Sequence, residues 1–295
     1  MALATVALLG GGALTACSTS DAGPGSDSPE IVASTTVYAD IAGRVAGDNA
    51  TVQSVIADPT ADPHSYEASP ADSAAMTTAD LVVYNGGGYD SFVDLALDNA
   101  GEVPVVRAVD EYALATGEEA SNEHVWFSLP TAAAVAERVA DELAEIDPDN
   151  ADEYRDNARG FTESLTPLEE RLDRIQHRGH LEYVQTERVG QHLFDTAHLV
   201  DLTPRGFLNS VEDDTDPSAA DLAAMLSLLD DRRATFLAYN AQTETSVTAR
   251  VRKAAEEADL VVVDLAETLP EGADYLGWIT GIVDEVAAAT ADGPR

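Results

Sequence analysis

A single cysteine in 295 residues rules out an internal disulfide, so the fold must be held by its core. Basic residues are scarce too: 16 Lys and Arg stand against 54 Asp and Glu, a formal charge of −38 at neutral pH. So acidic a surface repels phosphate backbones and excludes nucleic acid as a partner. The chain has no His-Glu-x-x-His zinc motif and no Gly-x-Ser-x-Gly nucleophile turn, and its lone cysteine is not placed for catalysis, so no enzyme is expected. Asn85-Gly86-Gly87-Gly88 lacks the helix-opening pattern of a phosphate loop, and no internal repeat is visible. Beyond the N-terminus no apolar run is long enough to cross a membrane. What is present, 45% hydrophobic residues over this length, suffices for two lobes. The acidic residues are spread along the whole chain, which fits a solvated, salt-tolerant surface better than electrostatic cation capture.

The cysteine has a context of its own. Cys17 closes Leu14-Thr15-Ala16-Cys17, behind a short apolar run and ahead of the polar stretch STSDAGPGSDSP. A hydrophobic segment that engages the export machinery, small residues before the cut and a cysteine that receives lipid make a bacterial lipoprotein signal. Residues 1–17 are therefore expected to be the signal segment with lipidated Cys17, and 18–29 a flexible tether to the outer face of the cell membrane. The usual basic start is missing, since Met1 is followed by Ala2-Leu3-Ala4, and a start codon further upstream would supply it.

From residue 30 short apolar runs alternate with helical patterns. Strands are expected at 31–34, 51–56, 81–84 and 103–106, with helices at 38–46, 69–78 and 90–99. An Ala-rich amphipathic helix follows at 131–146 and stops at Asp147-Pro148. In the next segment Tyr154, Ala158, Phe161, Leu165, Leu168, Leu172 and Ile175 recur at alternating spacings of four and three, one continuous apolar stripe of a long helix. A dimerising coiled coil would need more heptads and would not tolerate Pro167, which should kink or break the rod, so an intramolecular spine in a monomer is expected. Alternation then resumes, with strands at 181–185, 235–239 and 260–265 and helices near 188–197, 218–230, 245–257 and 275–289. The expected architecture is α/β: lobes at 30–149 and 178–295, each a mostly parallel sheet flanked by helices, joined by a spine at 150–177 with a cleft between them.

Of six histidines, His64 and His124 stand out, in the loop segments Asp62-Pro63-His64-Ser65-Tyr66-Glu67 and Asn122-Glu123-His124-Val125-Trp126-Phe127. In the second half Glu187 and Glu267 follow expected strands, and ligands of open α/β sheets bind beyond the carboxyl ends of strands. Each has a plainer alternative: the histidines as hydrogen-bonded loop residues, Glu187 as an acid at a helix start, Glu267 as a solvated loop residue. His177 and His180 lie where a histidine suits the end of the spine, and His198 reads as a surface or supporting residue. Trp126 and Trp278 read as packing near the cleft.

DPHSYEASPAD, NEHVWFSLP, Thr186-Glu187, YNAQT at 239–243 and AETLPEGADYLGW at 266–278 together resemble the zinc and manganese substrate-binding lipoproteins of bacterial ABC importers, from about residue 30 to 290. The resemblance implies that His64 and His124 bind the metal from the first lobe and Glu187 and Glu267 from the second. A small shift would put Asp264 in place of Glu267, and His192 is a further candidate near Glu187. Asn240 and Gln242 would orient a ligand carboxylate. The transported ligand would be Zn2+ or Mn2+, zinc by Irving–Williams affinity, and the partner an ABC permease with its cytoplasmic ATPase. The His-rich loop of some zinc members is absent. Two imidazoles and two carboxylates independently suit a divalent cation in a partly dehydrated cleft, with capture weakening below roughly pH 6 as the histidines protonate. Two alternatives are a secreted metal-dependent hydrolase, which four protein ligands would deprive of an open zinc position, and a surface adhesin, which no sequence feature demands.

Overall fold

Two four-stranded sheets, every pairing parallel, frame the computed structural model, which describes Met1 and residues 28–98 and 100–291. Cys17 and tether residues 18–27 lie outside the described residues. The first sheet carries β1 (Glu30–Thr35), β2 (Thr51–Ile56), β3 (Leu81–Tyr84) and β4 (Val105–Arg107) in the order β2-β1-β3-β4. Its helices are α1 (Thr36–Ala46), α2 (Pro70–Thr78), α3 (Ser91–Leu97), α4 (Ala108–Thr116) and α5 (Leu129–Ile146). Both central strands are almost wholly buried, because helices cover both faces, and so they read as continuous apolar runs rather than alternating ones. Ser69-Pro70 starts α2 with a capping box in which Ser69 and Asp72 satisfy each other's backbone N–H groups.

The spine is α6 (Ala151–Gln176), and all seven stripe residues are buried on one face. Contrary to expectation, Pro167 neither breaks nor ends it. The proline and Glu163, four residues earlier, are both exposed, so the carbonyl that loses its N–H partner can turn to water.

The second sheet carries β5 (Glu182–Gln185), β6 (Val200–Asp201), β7 (Phe236–Asn240) and β8 (Val261–Leu265) in the order β6-β5-β7-β8, flanked by α7 (Gln191–Thr196), α8 (Arg205–Glu212), α9 (Ala219–Asp230), α10 (Ser246–Glu257) and α11 (Tyr275–Ala289). The second strand in sequence sits outside the first in both sheets, so the halves share a topology that no sequence repeat reveals. One buried cluster runs from Ile31 and Val37 through Phe161 and Leu165 of the spine to Tyr183, Val263 and Ile282. The lobes thus share a core. Tyr275 in α11 donates to the Trp126 carbonyl at 2.6 Å, and its backbone N–H donates to Asp40 in α1 at 3.1 Å, which ties the last helix to the first half.

Candidate metal centre

Strands in both lobes deliver loops to one cleft of about 340 Å³, lined among others by His64, His124, Glu187 and Glu267. His64 rides on the loop after β2, where the Asp62 carboxylate accepts from the His64 backbone N–H at 2.9 Å and so shapes the turn. Its ring meets the edge of Tyr89 with centroids 5.0 Å apart. His124 precedes a single 3-10 turn at Val125–Phe127 and is held by Asn122, whose Oδ1 lies 3.0 Å from its backbone N and 2.7 Å from Nδ1. That contact puts the ring proton on Nδ1 and leaves the Nε2 lone pair facing the cleft.

From the second lobe Glu267 brings a carboxylate that is only 2% exposed. Its Oε2 lies 3.4 Å from His64 Nε2 and 3.8 Å from His124 Nε2. One donor atom from each of the three residues falls within 4.8 Å of the others, a grouping that can hold a metal ion. His124 Nε2 and Glu267 Oε2 are both buried without a hydrogen-bond partner. An unmet buried polar atom costs about 1–3 kcal/mol; the His64 ring at 3.4 Å offsets part of this for Glu267 Oε2, and a cation in the grouping would satisfy His124 Nε2 as well.

Glu187 lines the same cleft but stands outside that trio, and its carboxylate is engaged within its own lobe. Thr243 donates to its Oε1, and Asn240 Nδ2 donates to its Oε2 at 2.6 Å. The same Asn240 nitrogen donates to Glu267 Oε1 at 2.8 Å. Burial pushes the Glu187 carboxyl up to about 7, against the hydrogen bonds from Thr243 and Asn240 and with help from the Glu267 charge. For His64, burial works against the charged ring, but the Glu267 carboxylate, with Glu123 and Asp62, outweighs it and raises the imidazole to about 9. Burial, with the charges of His64 and His192, keeps His124 well below its ordinary value. The proton competition anticipated below pH 6 therefore shifts upward, because Glu267 holds a proton on His64.

The family model for zinc-uptake complex component A, periplasmic, matches residues 31–289. The chain belongs to this family. It is 31% identical over 164 residues to the manganese-binding lipoprotein MntA of Bacillus subtilis, 53% of each chain. It is 33% identical over 179 residues to the metal ABC transporter substrate-binding lipoprotein FimA of Streptococcus parasanguinis, 56% of this chain and 57% of that one. The chain spans about half the length of the curated relatives it matches. The fold is similar to that of the periplasmic zinc-binding protein TroA from Treponema pallidum, with a TM-score of 0.73 at 18% identity over 88% of this chain and 98% of that one.

In this family member the remaining candidates part company with the trio. Asp264 points away: it sits on β8 between buried Val263 and Leu265, its side chain is 54% exposed, and Arg252 binds it at 2.5 and 3.1 Å. Strand alternation alone sends it to the face opposite the cleft core. His192 does not join either; its Nε2 lies 2.9 Å from the Asn122 carbonyl, bracing the His124 loop against the second lobe. Asn240 bonds both carboxylates, whereas Gln242 acts on backbone, accepting from the Glu267 N–H and donating to the Pro59 carbonyl at 2.8 Å. His177 Nδ1 contacts the Asp173 carbonyl at 2.7 Å, a helix-end role. Trp126 and Trp278 are buried packing residues, Trp126 at 5.2 Å from the His124 ring. Asn122, Thr243 and Tyr89, whose hydroxyl donates to the Glu267 carbonyl at 2.8 Å, were not singled out from the sequence. The Asn two residues before His124 was the available signal for the first of them.

Proposed function

We propose that this chain is an extracytoplasmic binding protein that captures a divalent metal ion between its lobes, zinc in preference to manganese, and hands it to an ABC permease driven by a separate ATPase. The observation that carries this is the convergence of one donor atom from each of His64, His124 and Glu267 within 4.8 Å at the inter-lobe cleft. Glu187 is the fourth ligand, brought in by a small movement of its loop. Two carboxylates supply a charge of −2, which balances a divalent cation that has lost much of its water. Four protein ligands satisfy a tetrahedral zinc and leave no position for an activated water, so binding without chemistry is the expected outcome. The spine and the shared core limit closure to small tilts. Lipidation at Cys17 would hold the protein beside its permease, and the relatives MntA and FimA are themselves named lipoproteins.

The test is calorimetric titration of zinc and manganese into metal-stripped protein and a His64→Ala, His124→Ala double variant. The expected result is wild-type binding tighter than about micromolar, roughly −8 kcal/mol, and its loss in the double variant. If wild type binds neither metal at that level, the capture function is wrong.

A further inference from the structure

If the cleft captures a cation as proposed above, the hydrogen bonds around its two carboxylates bear on which cation it takes. Of the four carboxylate oxygens of Glu187 and Glu267, three already accept hydrogen bonds: Glu187 Oε1 from Thr243, Glu187 Oε2 from Asn240 and Glu267 Oε1 from Asn240. Only Glu267 Oε2 accepts no hydrogen bond, and its neighbour at 3.4 Å is His64 Nε2, another candidate ligand atom. The Asn240 amide is fixed in its orientation, because its Oδ1 accepts from the Gln242 backbone N–H at 3.0 Å, which leaves Nδ2 and its two hydrogens for the carboxylates. Asn240 is itself 2% exposed and ends β7, so the amide is anchored in the sheet rather than adjustable.

We infer that Asn240 and Thr243 form a clamp that sets metal selectivity, an inference that rests on the capture function. By engaging one or both oxygens of each carboxylate, the clamp disfavours bidentate binding and holds the site to one oxygen per acid. Two imidazole nitrogens and two single oxygens make a four-donor set, which satisfies zinc. Manganese is served best by a larger set of oxygens, which bidentate carboxylates would provide. Thr243 is the adjustable half of the clamp. It is partly exposed, lies just beyond the strand, and reaches only Glu187. Removing its hydroxyl releases Glu187 Oε1 from its hydrogen bond, so that it can reach the metal beside Oε2, which binds through the lone pair that Asn240 leaves open, adding an oxygen without touching the imidazoles.

Competition titrations of zinc against manganese on wild type, Thr243→Val and Thr243→Ser test this. Wild type should prefer zinc, Thr243→Val should narrow the ratio of the two dissociation constants by about tenfold or more through tighter manganese binding, and Thr243→Ser, which keeps the hydroxyl, should retain the wild-type ratio. A ratio unchanged in Thr243→Val, or wild type preferring manganese, overturns the clamp while leaving metal capture intact. Wild type binding neither metal defeats the capture function itself. Because the readout is a ratio, a general loss of affinity from local loosening would move both constants together and would also count against the clamp.

Discussion

Metal capture should release protons in a number that depends on pH. In the metal-free protein burial opposes a charge on His64, but the Glu267 carboxylate, aided by Glu123 and Asp62, overcomes it and keeps the ring protonated up to about pH 9. Burial keeps Glu187 protonated up to about 7. His124, lowered by burial, is neutral throughout the range. A cation needs the lone pairs those protons occupy. At pH 8, one unit below its value, His64 is about nine-tenths protonated, so zinc should displace about one proton; at pH 6 Glu187 adds a second. The logarithm of affinity should therefore rise by about one per pH unit between 7 and 9, and by about two below 7. Calorimetry at pH 6 and 8 in buffers of different ionisation heat counts the protons directly. The cause is separable: Glu267→Gln removes the charge that lifts His64, so release at pH 8 should fall close to zero even though binding weakens. Wild-type release below about half a proton at pH 8, or release unchanged in Glu267→Gln, would refute the coupling. The sign for the metal-free fold is the same for both groups. His64, raised in the fold, adds stability fully present below about 6.5 and lost as pH climbs through about 9; Glu187, also raised, adds stability present below about 4.5 and lost through about 7.

Asn122→Ala, which removes the acceptor that fixes the His124 tautomer, should weaken zinc binding by about 10–100-fold in the same titration, with the melting temperature of the metal-free protein changed far less. Asp264→Ala should leave zinc affinity at the wild-type value, since its partner is Arg252, whereas Glu267→Ala should abolish binding tighter than micromolar; a loss in the first would mean that the carboxylate assignment is wrong. Leu165→Ala, in the middle of the buried spine stripe, should cost about 2–5 kcal/mol, read as a lower urea midpoint at unchanged slope.

Most of the framework was legible because the strands are short apolar runs and the spine repeats its stripe without interruption. Three elements escaped for different physical reasons. Strand β6 is two exposed residues, Val200 and Asp201, too few to show any period, and it exists only because β5 offers an edge to pair with. Helix α4 begins at Ala108 directly from β4, with Arg107 at its start and no capping side chain, so no start signal precedes it. Helix α8 did carry a pattern, Phe207, Leu208 and Val211 on one face, but it spans only eight residues behind Pro204 and reads as easily as loop. Pro167 erred the other way: its propensity cost was real, but the seven buried stripe residues of a 26-residue helix outweigh one lost bond on the wet side.

The site shows where composition and spacing stop carrying information. A choice between Asp264 and Glu267 could not be made by chemistry, since both are carboxylates near the end of the same strand. It is made by the pleat: the register of β8 on β7 pairs Tyr239 with Asp264 and Asn240 with Leu265, so Leu265 faces the core, Asp264 faces Arg252, and the chain must leave the strand before a carboxylate can turn into the cleft. Glu267 is the first acid after that exit, and Gln242 and Tyr89 hold its backbone there from opposite lobes. The same register places Asn240 at the end of β7, between Glu187 and Glu267, where one amide reaches both. Neither lobe alone therefore contains the site. Its candidate donors are set by two sheets of identical strand order joined through a shared core, and Asp264, three residues before Glu267, turns to Arg252 instead of the cleft.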